Sequence, residues 1–175
     1  MKYIFDFDDV IFHTTRHRKE HMFVLLEKAG ISGDAINEYY QKARLEGLSL
    51  KKMLAYFGKE DLYEEIMSNG ADFLNKKLIE TIKKLGQKNC FLITHGSEEF
   101  QEDKIQRAGI TPLFSEIIIL VGSKKKAVED ICEKYKDEQV VFVDDKAQYF
   151  EDLDFKKYPN LKTILYTGQS IDELV

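Results

Sequence analysis

Three carboxylates, Asp6, Asp8 and Asp9, stand within four positions of the stretch KYIFDFDDVIFH (residues 2 to 13), directly behind a run of apolar and aromatic residues. Like charges a few ångströms apart in a partly desolvated place raise one another's pKa or require a cation. A second acidic pair, Asp144 and Asp145, follows the apolar run VVFV. If both clusters lie at the same end of a sheet, they suggest a hard divalent cation with oxygen ligands, and Mg2+ is the commonest choice beside a phosphate. Thr94 closes the run CFLIT, and Ser123, Lys124, Lys125 and Lys126 stand at the start of a helix-like stretch. Positive charge there opposes the macrodipole by about 0.3 to 1 kcal/mol per residue, so an anion nearby makes better sense of the lysines. Each feature also has a plainer reading: aspartates begin turns, threonine suits strands, and lysine runs are usually solvated.

The elements that must position these residues are legible as short apolar runs. KYIFDF (2 to 7), CFLIT (90 to 94), EIIILV (116 to 121), QVVFVD (139 to 144) and KTILYT (162 to 167) are nearly continuous in apolar character rather than alternating. Parallel strands covered on both faces read this way. Helical stretches separate the later ones: SEEFQEDKIQRAG, from a capping Ser97 to Gly109, and KKAVEDICEKY, from Lys125 to Tyr135. The alternation predicts an α/β fold, a Rossmann-like parallel five-stranded sheet with right-handed crossovers and helices on both faces. Ligands of such sheets bind beyond the carboxyl ends of the strands, where the residues singled out above would converge.

From Thr14 to about Asn75 the rhythm breaks. Only helix-like pieces occur, punctuated by Gly30, Gly33, Gly47, Gly58 and Gly70. Helices inserted at the carboxyl end of the first strand would sit over the ligand crevice as a lid. The expected organisation is a catalytic core of residues 1–13 and 76–175 and a small helical cap of residues 14–75. No internal repeat or low-complexity tract interrupts it.

Composition narrows the class. In 175 residues, 43% hydrophobic and 12% aromatic content can fill the core of one domain carrying a small insert. A formal net charge of -5 argues against a nucleic-acid polymer or an acidic membrane surface as partner. Cys90 and Cys132 lack the spacing of a thiolate zinc site or redox pair. No apolar run is long enough to span a bilayer, and the chain starts directly in a strand without a signal-like segment, so a cytoplasmic location is expected.

The order of DFDDV (6 to 10), LITHG (92 to 96), GSKKK (122 to 126) and VFVDD (141 to 145) resembles the haloacid dehalogenase superfamily of phosphatases over almost the whole chain. DxDxV in the first strand is the specific motif, and the others gain weight from order and spacing. The resemblance implies that Asp6 is the nucleophile, taking a phosphoryl group as an aspartyl-phosphate. Asp8 would give a proton to the leaving oxygen and then take one from water, with its pKa raised by anionic neighbours. Thr94, His95, Gly96 and Lys124 would hold phosphate oxygens, with Lys125 the alternative lysine. Mg2+ would be bound by Asp6, the Asp8 carbonyl and Asp145, with Asp144 reaching it through water or orienting its ligands. The pattern departs from the family at Asp9, usually glycine, at His13, usually acidic or polar, and at Tyr149, where another Asp or Asn is common.

The resulting expectation is a Mg2+-dependent phosphomonoester hydrolase acting on a small phosphorylated metabolite, a nucleotide or sugar phosphate being candidates. The protein is expected to be a monomer or weak homodimer. Phosphoryl transfer to another hydroxyl, and a homologue that binds a phosphorylated ligand without turnover, are the alternatives. Arg16, His17, Arg18 and Lys19 lie just past the first motif and could touch a second anionic group, Arg16 being the candidate named, against the plainer reading of the four as a solvated helix face. His13, His17 and His21, spaced by four, raise a competing zinc site, but the intervening Arg16, Arg18 and Lys19 would repel a cation.

Overall fold

Apolar runs become strands where both their faces can be covered, and all five expected ones do so. A computed structural model describes residues 1–169. The strands are β1 (Lys2–Phe5), β2 (Cys90–His95), β3 (Glu116–Leu120), β4 (Val140–Asp144) and β5 (Leu161–Leu165), in one parallel sheet of order β3-β2-β1-β4-β5. Successive side chains point to opposite faces. Tyr3, Phe5, Leu92, Val141 and Val143 pack on one side and Ile4, Phe91, Ile93 and Phe142 on the other. Helices α6 (Lys76–Leu85) and α7 (Glu98–Arg107) cover the first face through Ile79, Ile82 and Ile105, and α8 (Lys125–Lys134) covers the second through Val128 and Ile131.

Register decides where the chemistry-bearing residues go. Phe5 pairs with Leu92 of β2 and Val143 of β4, which brings Asp6, Thr94 and Asp144 to nearly the same level at the carboxyl edge. The chain runs outward from β1 through β2 to β3, and on the other side from β4 to β5. The reversal between β1 and β4 makes a crevice at that edge.

Between β1 and β2 lie helices and no strand: α1 (Thr14–His17), a π-helical turn Arg18–Met22, α2 (Phe23–Lys28), α3 (Gly33–Ala43), α4 (Leu50–Phe57), α5 (Tyr63–Ser68) and a 3-10 turn Gly70–Phe73. They bury a cluster of their own that includes Met22, Leu26, Ile36, Leu50, Met53 and Ile66. Entry and exit lie side by side: His13 N donates to Phe73 O at 2.8 Å, and Asn75 N to Ile11 O at 2.8 Å. Helix α7 braces the insert from the sheet side. Phe100 packs against the insert's cluster, Tyr63 OH donates to Asp103 at 2.6 Å, and Arg107 pairs with Glu64 at 2.9 Å.

One helix start differs from the sequence reading. Ser97 occupies the position before α7 in an extended conformation, but its hydroxyl caps nothing; Glu98 and Glu99 complement the dipole instead. At α8 it is Ser123 Oγ that accepts from Lys125 N, at 3.0 Å.

Asp9 adopts φ 58°, the left-handed region that explains why glycine is common at this turn. Its carboxylate accepts from Thr15 N at 2.8 Å and Thr15 Oγ at 2.6 Å, anchoring the first turn of the insert and leaving Asp9 committed away from any cation. His17 is also structural. It is buried, with Nε2 3.1 Å from Ile66 O and the ring edge-on to Phe73, while His21 Nε2 meets Glu65 O at 3.0 Å, so the histidines do not form a zinc site.

Asp9→Ala keeps an unfavourable φ and loses two bonds, so urea unfolding should show a loss of about 1–3 kcal/mol, with Asp9→Gly milder. Burial pulls the His17 pKa down to about 4, the Ile66 carbonyl opposing it only in part. The folded value lies below an unfolded value near ~6.5, so the stability that neutral His17 contributes is fully present above that pH. It is lost as pH falls toward about 4. Unfolding midpoints measured across this window should drop more steeply for the wild type than for His17→Gln.

Candidate active site

The centre of the crevice is a buried ion triplet. Asp6, 2% exposed, follows β1, and Asp144, fully buried, ends β4. Lys124, 1% exposed, reaches from the turn before α8 and places Nζ 2.7 Å from Asp6 Oδ1 and 2.6 Å from Asp144 Oδ2. The Tyr149 ring lies 4.4 Å from the same ammonium, so the aromatic found where another acidic residue is common supports the lysine through its π face. Burial raises the Asp6 pKa to about 6 even against the lysine, with Asp144 and Asp8 adding to the rise. Asp144 is raised by burial too. Burial works against the Lys124 charge, but the two carboxylates more than offset it and hold the ammonium above its ordinary range.

Two buried polar atoms beside this triplet have no hydrogen-bond partner among the described residues, Thr94 Oγ and Asp145 Oδ1. Buried polar groups are nearly always paired, and one left alone costs about 1–3 kcal/mol. The nearest cation to Asp145 Oδ1 in an ion pair, Lys146 Nζ, is 3.7 Å away, too far for a hydrogen bond. Asp6, Asp144 and Asp145 each offer an oxygen within 4.8 Å of the others, the one group of this kind among the described residues. Both Asp144 oxygens are already engaged, Oδ2 by Lys124 and Oδ1 by the Lys146 N–H at 2.9 Å. Asp6 and Asp145 are therefore the carboxylates with capacity left for a hard cation. The expected arrangement, acidic groups of β1 and β4 around one ion, is altered: a lysine answers one side of Asp6, and Asp145, whose Oδ1 has no hydrogen bond, marks the other.

Asp8 departs from expectation. Its Oδ1 accepts from Lys104 Nζ at 2.5 Å and from the Thr14 hydroxyl, and its Oδ2 from Gln101 Nε2 at 2.6 Å. Burial pushes the carboxyl up, but the Lys104 charge and these three hydrogen bonds outweigh it and hold the pKa below the usual range. The raised pKa expected from anionic neighbours is corrected, because the adjacent charge that matters is a lysine. Gln101 and Lys104 are both buried, three residues apart on α7. Sequence reading missed them, although a lysine on the same helix face as the apolar Ile105 and Ala108 was the available signal. Phe7, Phe12 and Phe100 surround the Lys104 ammonium at 4.9 to 5.2 Å.

Of the lysine run, Lys124 is the residue that meets the carboxylates of β1 and β4. Lys125 turns to the surface, contacting the Asp152 carbonyl and pairing with Glu129 at 3.2 Å, so it is not at the site. Arg16 is also removed from it. Its guanidinium lies on the Phe73 ring, donates to Asp72 O at 3.0 Å and pairs with Glu20 at 3.3 Å. His95 and Gly96 do line the opening, a cleft of about 770 Å³ that also takes in Asp8, Lys104, Asp145 and Lys146 on the sheet side and Arg18, Tyr40, Arg44 and Leu48 on the insert side. Burial, then Lys124 and Lys146, lower the His95 pKa. Gly96 admits no larger residue without a shift: a Cβ would lie 2.8 Å from Gln101 Nε2, the group that orients Asp8.

Comparisons with known proteins agree with this geometry. The family model for haloacid dehalogenase-like hydrolases matches residues 3–148. Among solved structures, one from Burkholderia xenovorans LB400, assigned as a haloacid dehalogenase-like hydrolase, superposes with a TM-score of 0.66 at 16% identity, covering 92% of this chain and 81% of that one. YfnB from Bacillus subtilis, assigned as a HAD-hydrolase and bound to magnesium, gives 0.57 at 19% identity, covering 93% and 84%. A dehalogenase with an intermediate complex gives 0.60 at 13% identity, covering 99% and 94%. No curated protein matches the chain. At such identities the structural likeness speaks for the fold, while the family match spans most of the sequence, and on that ground the chain belongs to the haloacid dehalogenase-like hydrolases.

Proposed function

We propose that this hydrolase is a phosphomonoesterase in which Asp6 attacks phosphorus and forms an aspartyl-phosphate. The observation that carries the reading is the company of Asp6: Lys124 at 2.7 Å, and beside it the unpartnered Thr94 Oγ and Asp145 Oδ1. A phosphoryl group seated there would accept a hydrogen bond from the Thr94 hydroxyl and share the Lys124 charge, which answers the difficulty of bringing a carboxylate up to an anionic ester. Asp6, Asp145 and the Asp8 carbonyl are the oxygens that would hold Mg2+, with Asp144 kept in place behind them by Lys124 and Lys146 N–H. When bound, the cation would supply further neutralisation of the phosphate charge.

In the first half-reaction Asp6 bonds to phosphorus, the P–O ester bond breaks, and the departing ester oxygen takes the proton of Asp8, leaving Asp8 ionised. In the second, water bonds to phosphorus, its proton goes to Asp8, and Asp6 is released. The Lys104 contact favours the ionised Asp8 that the second half requires and works against the protonated form that the first half uses. The presence of Asp8 supports phosphate over carbon–halogen chemistry, since halide departure needs no proton. Residues 14–75 would act as a cap over the site, and the cleft of about 770 Å³ suits a small metabolite. No helix among the described residues is long and apolar enough to cross a membrane, and Cys90 and Cys132 are free and buried, which supports placing the activity in the reducing cytoplasm.

Screening a panel of phosphate esters should detect phosphate release that stops on chelation and falls about a thousandfold or more in Asp6→Asn. Release that survives either treatment sinks the mechanism, and silence on every ester favours a protein that binds without turnover. Asp145→Ala should raise the Mg2+ concentration giving half-maximal rate by about tenfold or more, whereas an unchanged metal requirement removes Asp145 from the ligand set.

A further inference from the structure

Charge is distributed unevenly over the cleft. Away from the insert helices its lining carries four carboxylates, Asp8, Asp9, Asp145 and Asp152, against Lys104 and Lys146, and each of these lysines faces a carboxylate: Lys104 meets Asp8 at 2.5 Å and Lys146 meets Asp145 at 3.7 Å. The insert side carries Arg18 and Arg44. Arg18 makes no hydrogen bond and no ion pair among the described residues. Its half-buried guanidinium lies 4.4 Å from the Tyr40 ring centroid and 5.9 Å from that of Phe23. Arg44 bonds only Gln41 Oε1, at 3.4 Å, through its guanidinium.

A guanidinium carries five N–H donors in a rigid planar fork that fits the paired oxygens of a carboxylate or phosphate. Stacking on tyrosine fixes its plane and shields one side from water, while the donor edges remain unused. That strengthens attraction to an incoming anion and lowers the ordering cost of binding it. Arg18 also opens the π-helical turn Arg18–Met22, a local widening of the helix of the kind often found where a side chain must be aimed. The neighbouring Arg16, with carbonyl, carboxylate and ring partners, shows what a structurally satisfied arginine on this segment looks like.

We propose that Arg18 is a specificity residue that grips a second anionic group of the substrate, a carboxylate or a further phosphate, on the insert side of the cleft. The inference rests on the hydrolase reading for its first phosphate and adds the substrate class: small doubly anionic phosphate esters rather than neutral sugar or alkyl esters.

Calorimetric titration with non-hydrolysable probes of one chain length tests it, in the presence of Mg2+: propylphosphonate, phosphonopropionate and propylene bisphosphonate. The wild type should bind one or both of the doubly anionic probes about tenfold or more tighter than propylphosphonate, and the stronger of the two identifies the anion. Arg18→Gln should bring the ratio close to one. Arg18→Lys, which keeps the charge without the fork, should fall between, and Arg16→Gln should retain the wild-type ratio. Absence of binding, equal binding of all three by the wild type, or a preference that persists in Arg18→Gln overturns the assignment. Assaying phosphate release from the corresponding esters separates the two readings. A binding preference lost with Arg18, without any release, sinks the hydrolase reading and leaves this one standing, and release without preference does the reverse.

Discussion

Parallel register carries Asp6, Asp144 and Asp145 to one point at the carboxyl edge of the sheet, and the rest of the site answers their mutual repulsion. Two buried carboxylates with a third, partly buried one beside them cannot all remain ionised without compensating charge. Lys124 is the internal part of that answer, a buried ammonium shared between the nucleophile candidate and its neighbour on β4. It reaches them because β3 leads into a turn whose last residue before α8 is this lysine. The apparently unfavourable placement of positive charge at a helix start thus has its reason in a contact made across the sheet. Lys124 leaves two buried polar atoms without a hydrogen bond, Asp145 Oδ1 and Thr94 Oγ.

The same logic of paired charge extends outward from the centre. Helix α7 supplies Gln101 and Lys104 to Asp8, so the second carboxylate of the DxD motif is held as an anion while the first is pushed toward neutrality. Two aspartates two residues apart thus acquire opposite tendencies from their surroundings, one from burial and one from an ammonium. Asp9, the third of the cluster, has left the chemistry and anchors the insert through Thr15. Helix α7 also braces the insert through Phe100, Asp103 and Arg107, so the element that sets the state of Asp8 is the one that carries the wall opposite.

Much of this was legible in the order of residues. The five strands follow from apolar runs that burial on both faces keeps nearly continuous, and the crossover helices and the long helical interruption from the stretches between them, all local properties of the chain. Asp6, Thr94, Lys124, Asp144 and Asp145 could be named because strand ends in such a sheet converge. Gln101 and Lys104 were missed because a polar residue on a helix looks much the same whether it meets water or a carboxylate, and the apolar neighbours of Lys104 were the one hint of burial. Arg16 and Arg18 are alike in type and almost adjacent. Only a π-helical turn and the position of Tyr40 turn one toward a surface carbonyl and the other toward the cleft.

Sequence alone therefore determined the layers of the fold and the list of groups at the strand ends, because alternation and apolar runs are written along a single strand. Tertiary structure decided the charge state of each group, because a pKa depends on whatever lies within a few ångströms in space. Asp8 meets Lys104 across 96 positions of chain and Asp6 meets Lys124 across 118. No local pattern encodes contacts of that separation, and they give each carboxylate its role.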